Sequence, residues 1–327
     1  MIRVMHLIGD LKFGGAQRSL IRLLEGLPAE FRCDLVTWRD RADDQALRSQ
    51  VPESVNVWHL PKDGLRDPTW IWRLVSVVRQ SEPDLLHGWL NPASHWAVAA
   101  SKAAHRPPVI TSEMTLREPA SRRMIHRLSA AAVADSEAVF GRLPKRRRVL
   151  IRPGVPNRCE GPMADLPGRV VLCVASLHPD KGVDLLLEHA RRSSDQIVVV
   201  GPTIDHDYAR QLRADAPPNM TFTGGVQDVT PYLRRADVFV LPSRTESCPN
   251  ALLEAMTYGI RVVATTVGDV PNVTANYDAT LVHPDDASAL SDGIEAAAST
   301  PRPMPANRFG VDDMVRQYVE LYRRVLR

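Results

Sequence analysis

The sequence is poor in the features that announce most specialised chemistries. Its four cysteines, Cys33, Cys159, Cys173 and Cys248, sit far apart and form no C-x-x-C pair. That spacing argues against a disulfide framework or a structural zinc site and points to reduced thiols in a cytoplasmic protein. No G-x-G-x-x-G, no G-x-x-x-x-G-K-[ST] and no H-E-x-x-H occurs, which removes the usual dinucleotide, P-loop and zinc-protease readings. Net charge is small: 41 Lys+Arg against 38 Asp+Glu leaves +3, too little to mark a nucleic-acid binder. Long apolar runs are missing as well. The longest uncharged stretch, residues 85–101, carries Asn91, Pro92 and two histidines, so it makes a poor membrane span. Residues 1–10 lack the basic start and long apolar core of a signal peptide.

What remains is an ordinary globular composition, 44% hydrophobic and 24% charged, in 327 residues. That length suggests two domains. Short β-branched runs alternate with helix-period segments from end to end. Residues 2–7 read as a strand and 17–27 as a helix, with Leu20, Leu23, Leu24 and Leu27 on one face. Strands follow at 33–38, 84–87, 109–111 and 149–151, with a helix at 69–78. Pro153, Gly154, Pro156, Gly161, Pro162, Pro167 and Gly168 then break the pattern, which places a linker there. The rhythm restarts with strands at 170–175, 196–200, 220–223, 238–241 and 261–265. An amphipathic helix over 311–326 closes the chain, with Met314, Val315, Tyr318, Leu321 and Tyr322 at helical spacing. Each parallel crossover needs a helix, so this alternation predicts two doubly wound Rossmann-like domains. The economical arrangement has them face one another across a cleft, with ligands at the carboxyl ends of the strands.

Three loops carry candidate chemistry. Gly14-Gly15 precedes the first helix, where backbone without Cβ atoms can approach a phosphate at a helix N-terminus; an ordinary strand–helix turn looks the same. Leu177-His178-Pro179-Asp180-Lys181-Gly182 repeats that geometry and adds a cation, Lys181, which fits either a phosphate or solvent. The third loop runs through 239–268. A strand ends at Pro242, Glu246 sits in the following loop, and a helix starts near Pro249 or Asn250 and stops before Gly259. Glu254 falls about one turn inside that helix, so both carboxylates can point to the same strand end. Asp205-His206-Asp207 mimics a metal-binding D-x-D, but it precedes a helix, where acids also suit the dipole.

Leu241-Pro242-Ser243-Arg244-Thr245-Glu246, the seven residues to Glu254, and Glu254-Ala255-Met256 resemble the E-x7-E signature of glycosyltransferase family 4. The likeness continues through Gly14-Gly15-Ala16-Gln17-Arg18, Lys181-Gly182-Val183-Asp184 and Val267-Gly268-Asp269-Val270-Pro271, in order along nearly the whole chain. The resemblance implies a GT-B fold and retaining transfer of a hexose-like sugar from a nucleoside-diphosphate sugar to a saccharide, lipid-linked or small-molecule acceptor. It further implies residues 1–160, with a returning helix at 310–327, as the acceptor-side domain, and 165–305 as the nucleotide-sugar domain. By the same resemblance Glu246 contacts the donor sugar and Glu254 the ribose. Lys181 and the backbone at Gly15 then neutralise the diphosphate without a metal or other cofactor, and Ser176 and Asn250 complete the donor set. Three positions depart from the family: Ala175-Ser176 replaces Gly-Arg, Glu113 stands where a histidine is usual on the acceptor side, and Pro153-Gly154-Val155 replaces Asn-Gly-Val. A nucleotide-sugar epimerase of similar architecture and a non-catalytic nucleotide-sugar-binding protein remain alternatives.

Residues 117–148 hold nine Lys/Arg against three acids. A helix over 120–133, with Met124, Ile125, Leu128 and Val133 beside Arg122, Arg123 and Arg127, would suit a solvated face or an anionic membrane surface. The expected location is therefore cytoplasmic, with peripheral attachment to the inner membrane face open.

Overall fold

The computed structural model describes residues 1–39, 45–62, 67, 69–104, 107–116, 120–157 and 160–327, apart from the side chains of 120–123. Cys159 and Arg117 lie outside the described residues, as do the side chains of Arg122 and Arg123. The chain divides into two units, Met1–Gly154 with Val311–Arg327, and Val155–Gly310.

The first unit follows the order β1 (Ile2–Leu7), α1 (Gly15–Gly26), β2 (Phe31–Thr37), β3 (Asn56–His59), α2 (Trp70–Ser81), β4 (Leu85–Trp89) and α3 (Ala93–Ala103). It continues with β5 (Val109–Glu113), α4 (Ala120–Leu128), β6 (Ala131–Ala134), α5 (Glu137–Phe140) and β7 (Arg148–Leu150). Its sheet is wholly parallel in the order β3-β2-β1-β4-β5-β6-β7. Chain order reverses between β1 and β4, which is where such sheets open a crevice at their carboxyl ends.

The second unit runs β8 (Val170–Val174), α6 (Leu186–Arg192), β9 (Gln196–Val200), α7 (His206–Asp215), β10 (Met220–Gly224), α8 (Thr230–Arg235) and β11 (Val238–Leu241). Then come α9 (Asn250–Thr257), β12 (Arg261–Thr265), α10 (Val270–Thr274), β13 (Ala279–Val282) and α11 (Ala287–Ala298). The sheet order β10-β9-β8-β11-β12-β13 repeats the first, again all parallel, with its switch point between β8 and β11. The last helix, α12 (Val311–Leu326), belongs to the first unit. Its apolar face, Met314, Val315, Tyr318, Leu321 and Tyr322, joins the core formed by Leu20, Leu23 and Leu24 of α1. Burial of each such large side chain contributes roughly 1.5–3 kcal/mol, so the end of the chain is integral to the first sheet's packing.

The fold corrects the reading of residues 120–133. The helix stops at Leu128, and Val133 lies in β6, 1% exposed. Ser129 explains the stop: its hydroxyl donates to the His126 carbonyl while the Ala130 amide turns to the carbonyl of Val109 in the sheet. Ala131, Ala132 and Ala134 carry little β signal, and burial on both faces makes them a strand. The short strands β3 and β13 were equally silent in the sequence pattern.

Candidate active site

The strand order brings two loops of the second unit to the switch point. One follows β8 and the other follows β11, although more than sixty residues separate them in sequence. In the first, Ala175 and Ser176 leave the strand, and a single 3-10 turn, Pro179–Lys181, carries Lys181. The Asp180 amide donates to Nδ1 of His178 (3.2 Å), which caps the turn. Gly182 then takes a left-handed conformation, φ 60°. A Cβ on Gly182 would lie 2.1 Å from the Pro242 carbonyl oxygen, so only glycine lets this turn lie against the second loop. Gly201, at the end of β9, does the same for Ala175, whose carbonyl oxygen a Cβ would meet at 2.0 Å.

In the second loop, Glu246 is 9% exposed and accepts from two directions. Lys181 Nζ lies 2.6 Å from its Oε1, and the buried Ser243 hydroxyl donates to the same oxygen at 2.8 Å. Thr265 of β12 fixes Ser243 in turn, donating to its carbonyl at 2.5 Å. The loop ends at α9, for which Pro249 is the extended residue before the first turn and left-handed Gly259 the stop. Glu254 lies in α9 and is 7% exposed; Asn250 is its first residue. The backbone of Glu246 rests on Gly268, where a Cβ would meet the Glu246 carbonyl at 2.0 Å, and the Asp269 amide donates to Ser247 O at 2.9 Å. Beneath the loops Cys173 is fully buried, and burial first, with Glu246 nearby, pushes its thiol up to about 12. It is therefore an inert packing group at neutral pH.

Lys181, Glu246, Ser176, Asn250 and Glu254 thus all lie on the two loops, or on α9 just beyond, at the carboxyl ends of β8 and β11. Gly15 and Glu113 belong to the first unit. Gly15 is exposed and opens α1 after extended Gly14. The loop before it is fastened by Asp10, which accepts from Gln17 Nε2 at 2.6 Å and from Arg39 at 2.9 Å. Glu113 ends β5 and is only 2% exposed, with His126 Nε2 of α4 3.8 Å from its Oε2. Thr111 Oγ1 in turn lies 2.9 Å from His126 Nδ1. Nothing in the sequence singles out Asp10 or His126, because their partners Arg39 and Glu113 meet them only once the elements pack, and Ser243 stands in the motif before Glu246 with no role that the sequence assigns.

The other candidates find structural uses. Asp205 is the N-cap of α7, accepting from the amides of Asp207 and Tyr208. Among the described residues, His189, Asp195 and Glu295 place potential ligand atoms within 4.8 Å of one another. Arg169 already sits on that group, donating to Asp195 at 2.6 Å and to both oxygens of Glu295 at 2.9 Å. These residues lie by the amino ends of β8 and β9, away from Lys181 and Glu246.

Residues 13–156 match the family model described as Glycosyltransferase Family 4, and 168–300 match that described as Glycosyl transferases group 1. Over 137 residues the chain is 31% identical to a GDP-mannose-dependent monoacylated alpha-(1-6)-phosphatidylinositol monomannoside mannosyltransferase of Corynebacterium glutamicum, covering 38% of this chain and 36% of that protein. It is 28% identical over 191 residues to a glycogen synthase of Aeromonas salmonicida, covering 50% and 39%. The chain therefore spans well under two thirds of these relatives' own length. Two solved structures share the fold over 98% or more of both chains: sucrose-phosphate synthase from Thermosynechococcus elongatus (TM-score 0.82, 20% identity) and Anabaena HepE in complex with UDP and glucose (TM-score 0.79, 18% identity).

Proposed function

We propose, from the premise that this chain belongs to the group 1 glycosyltransferases of family 4 and has their GT-B fold, that it transfers a sugar from a nucleoside diphosphate to an acceptor hydroxyl. The observation that carries this reading is the meeting of Lys181 and Glu246 at the β8/β11 switch point. Cleaving a glycosyl–phosphate bond builds negative charge on the leaving diphosphate, and preorganised cations and N–H groups stabilise it. Lys181 is 29% exposed and held on a rigid turn, so it can meet a diphosphate without a metal ion.

In the proposed reaction the sugar is hexose-like and its configuration is retained. The acceptor oxygen attacks the anomeric carbon on the face that the diphosphate leaves. The C–O bond electrons pass to the departing phosphate, which takes the acceptor's proton. Glu246 holds donor-sugar hydroxyls, with Ser243 orienting its carboxylate. Glu254 and Asn250 at α9 take the ribose side, and Ser176 replaces the family's arginine beside the phosphates. In the first unit, Gly15 offers backbone N–H groups to an anion at the start of α1, and Glu113 supports the acceptor, which we take to be a saccharide or lipid-linked. The relative named as a monoacylated phosphatidylinositol monomannoside mannosyltransferase favours the lipid-linked alternative.

No helix among the described residues is long and apolar enough to cross a membrane. For a peripheral contact, α4 exposes Met124 (61%) and Leu128 (47%) beside exposed Arg127. Part of the basic stretch is engaged internally: Arg142 donates to Leu116 O, Arg147 to Ser129 O, and Arg148 lies 4.2 Å from the Phe140 ring centre. Lys145 and Arg146 stay exposed. A thermal-shift screen across uridine, guanosine, adenosine and thymidine diphosphate sugars tests the central reading, since a donor that binds the folded chain raises its apparent stability. Transfer to a saccharide panel must follow with the best donor. A chain that binds no donor overturns the reading, and conversion of the donor to an epimeric nucleotide sugar without acceptor makes it an epimerase.

A further inference from the structure

The guanidinium of Arg244 uses every side of its planar fork. NH1 and NH2 donate to the two oxygens of Asp184 at 2.8 and 2.7 Å, NH1 also reaches Pro179 O at 2.7 Å, and Nε donates to Asp285 at 2.5 Å. Its backbone amide donates to Asp180 O at 2.8 Å. Pro179 and Asp180 immediately precede Lys181, and Asp184 lies three residues beyond it, so the contacts grip the lysine turn on both sides. Arg244 itself stands two residues before Glu246. Tyr208 of α7 braces the far side, its hydroxyl donating to Asp184 Oδ1 at 2.6 Å while accepting from the Asp184 amide at 3.0 Å. Partial burial pushes the Asp184 carboxyl upward, but the hydrogen bonds from Arg244 and Tyr208 outweigh it and hold the group below its ordinary value.

We infer that Arg244 is a positioning residue: by clamping the loop after β8 to the loop after β11 through Asp184, it sets the separation of Lys181 from Glu246. The inference rests on the donor-site reading above for its consequence, though not for its geometry. Lysine carries its charge on a flexible four-carbon stem, so the location of its ammonium depends on how firmly its backbone is held. A bidentate guanidinium–carboxylate pair fixes both distance and plane, which a lysine at position 244 cannot reproduce. Arg244 and Asp184 are 28% and 34% exposed, and pairs with that access to water add little to overall stability. The pair's effect is therefore local, on the registry of the two loops.

The test uses the full chain with Arg244→Ala, Arg244→Lys, the isosteric Asp184→Asn, and Asp285→Asn, which removes only the outermost contact. The first measurement needs no substrate: the rate of Lys181 modification by an amine-selective reagent, read by peptide mass spectrometry across pH and normalised to exposed Lys145. Arg244→Ala and Asp184→Asn should each raise that rate several-fold, as Lys181 loses its fixed partner. The double variant should do no more than either single change, Arg244→Lys should fail to restore the wild-type rate, and Asp285→Asn should leave it close to wild type. The second measurement is affinity for UDP, GDP, ADP and TDP, which should fall about tenfold for whichever binds wild type. Unchanged Lys181 reactivity in a cooperatively folding Asp184→Asn chain overturns the inference, whatever happens to Arg244→Ala. If wild type binds none of the four nucleotides, the donor-site reading fails, and the labelling comparison still decides the clamp.

Discussion

Lys181 Nζ and Glu246 Oε1 are 2.6 Å apart across 65 residues of sequence, and the glutamate oxygen is shared with the Ser243 hydroxyl. The lysine's charge is thereby held at the mouth of the β8/β11 switch point before any anion arrives. A donor diphosphate entering there would compete with Glu246 for that ammonium, and the freed carboxylate could then accept from the sugar's hydroxyls.

Lys181→Ala should accordingly cut turnover strongly while the chain stays folded. Steady-state transfer with and without added Mg²⁺ checks this, because a protein that supplies its own neutralisation gains little from the metal. Abolition of wild-type activity by a chelator, with recovery on adding a divalent ion, would reject the assignment.

Glu246 and Glu254 should separate kinetically. If Glu254 accepts from the ribose as proposed, Glu254→Ala should weaken donor binding by about 1.5–3 kcal/mol, the worth of a charged hydrogen bond. Glu246→Ala should depress kcat more than donor affinity, if its contacts tighten as the sugar flattens toward the transition state. Calorimetric donor titration alongside initial rates distinguishes the two, and equal affinity losses with intact kcat contradict the division.

Gly182→Ala should be costly although it adds one methyl group. The new Cβ would lie 2.1 Å from Pro242 O at φ 60°, so the turn must shift, at about 1–3 kcal/mol for the strained backbone alone. A lowered Tm together with weakened nucleotide binding is the expected pair of results; a wild-type Tm would show that the two loops tolerate separation.

The first unit should lose stability in acid. His6 is fully buried, and burial lowers its pKa to about 3. Burial, with His6 adjacent, also holds His87 well below its ordinary value. Trp89 donates to His6 Nδ1 at 3.1 Å, while His87 bridges Tyr322 of α12 and Ser112, each at 2.8 Å. Unfolded, both rings titrate near 6.5. Below that pH the unfolded chain binds protons that the folded one refuses, so stability is full at neutral pH. It then falls by roughly 1.4 kcal/mol per pH unit for each ring on acidification. Urea midpoints at pH 7.5 and pH 5 measure the slope, which His6→Gln should reduce. An unchanged slope would mean that other groups dominate.

Vesicle flotation tests the exposed face of α4. Binding to anionic but not zwitterionic vesicles, weakened by salt and by replacing Met124, Leu128 and Arg127 with serine, is the expected result. Indifference of the wild type to anionic vesicles at low salt would make that face a solvated one.

The order of residues alone determined much of this protein. Apolar runs of strand length alternating with helical periods specify a doubly wound pattern, because parallel neighbours need crossovers. Proline and glycine mark where helices start and stop, as Pro249 and Gly259 do for α9. The ordered motifs around Lys181, Glu246 and Glu254 were legible as a family resemblance. Tertiary structure decided the rest. Ala131–Ala134 became a strand through burial against its neighbours, not through propensity. The joining of Lys181 to Glu246, of Arg244 to Asp184 and of His87 to Tyr322 spans 65, 60 and 235 residues respectively. Local sequence reports on interactions within a turn or a strand; which distant carboxylate meets which cation follows from strand order in a sheet, and that is set only when the whole sheet packs.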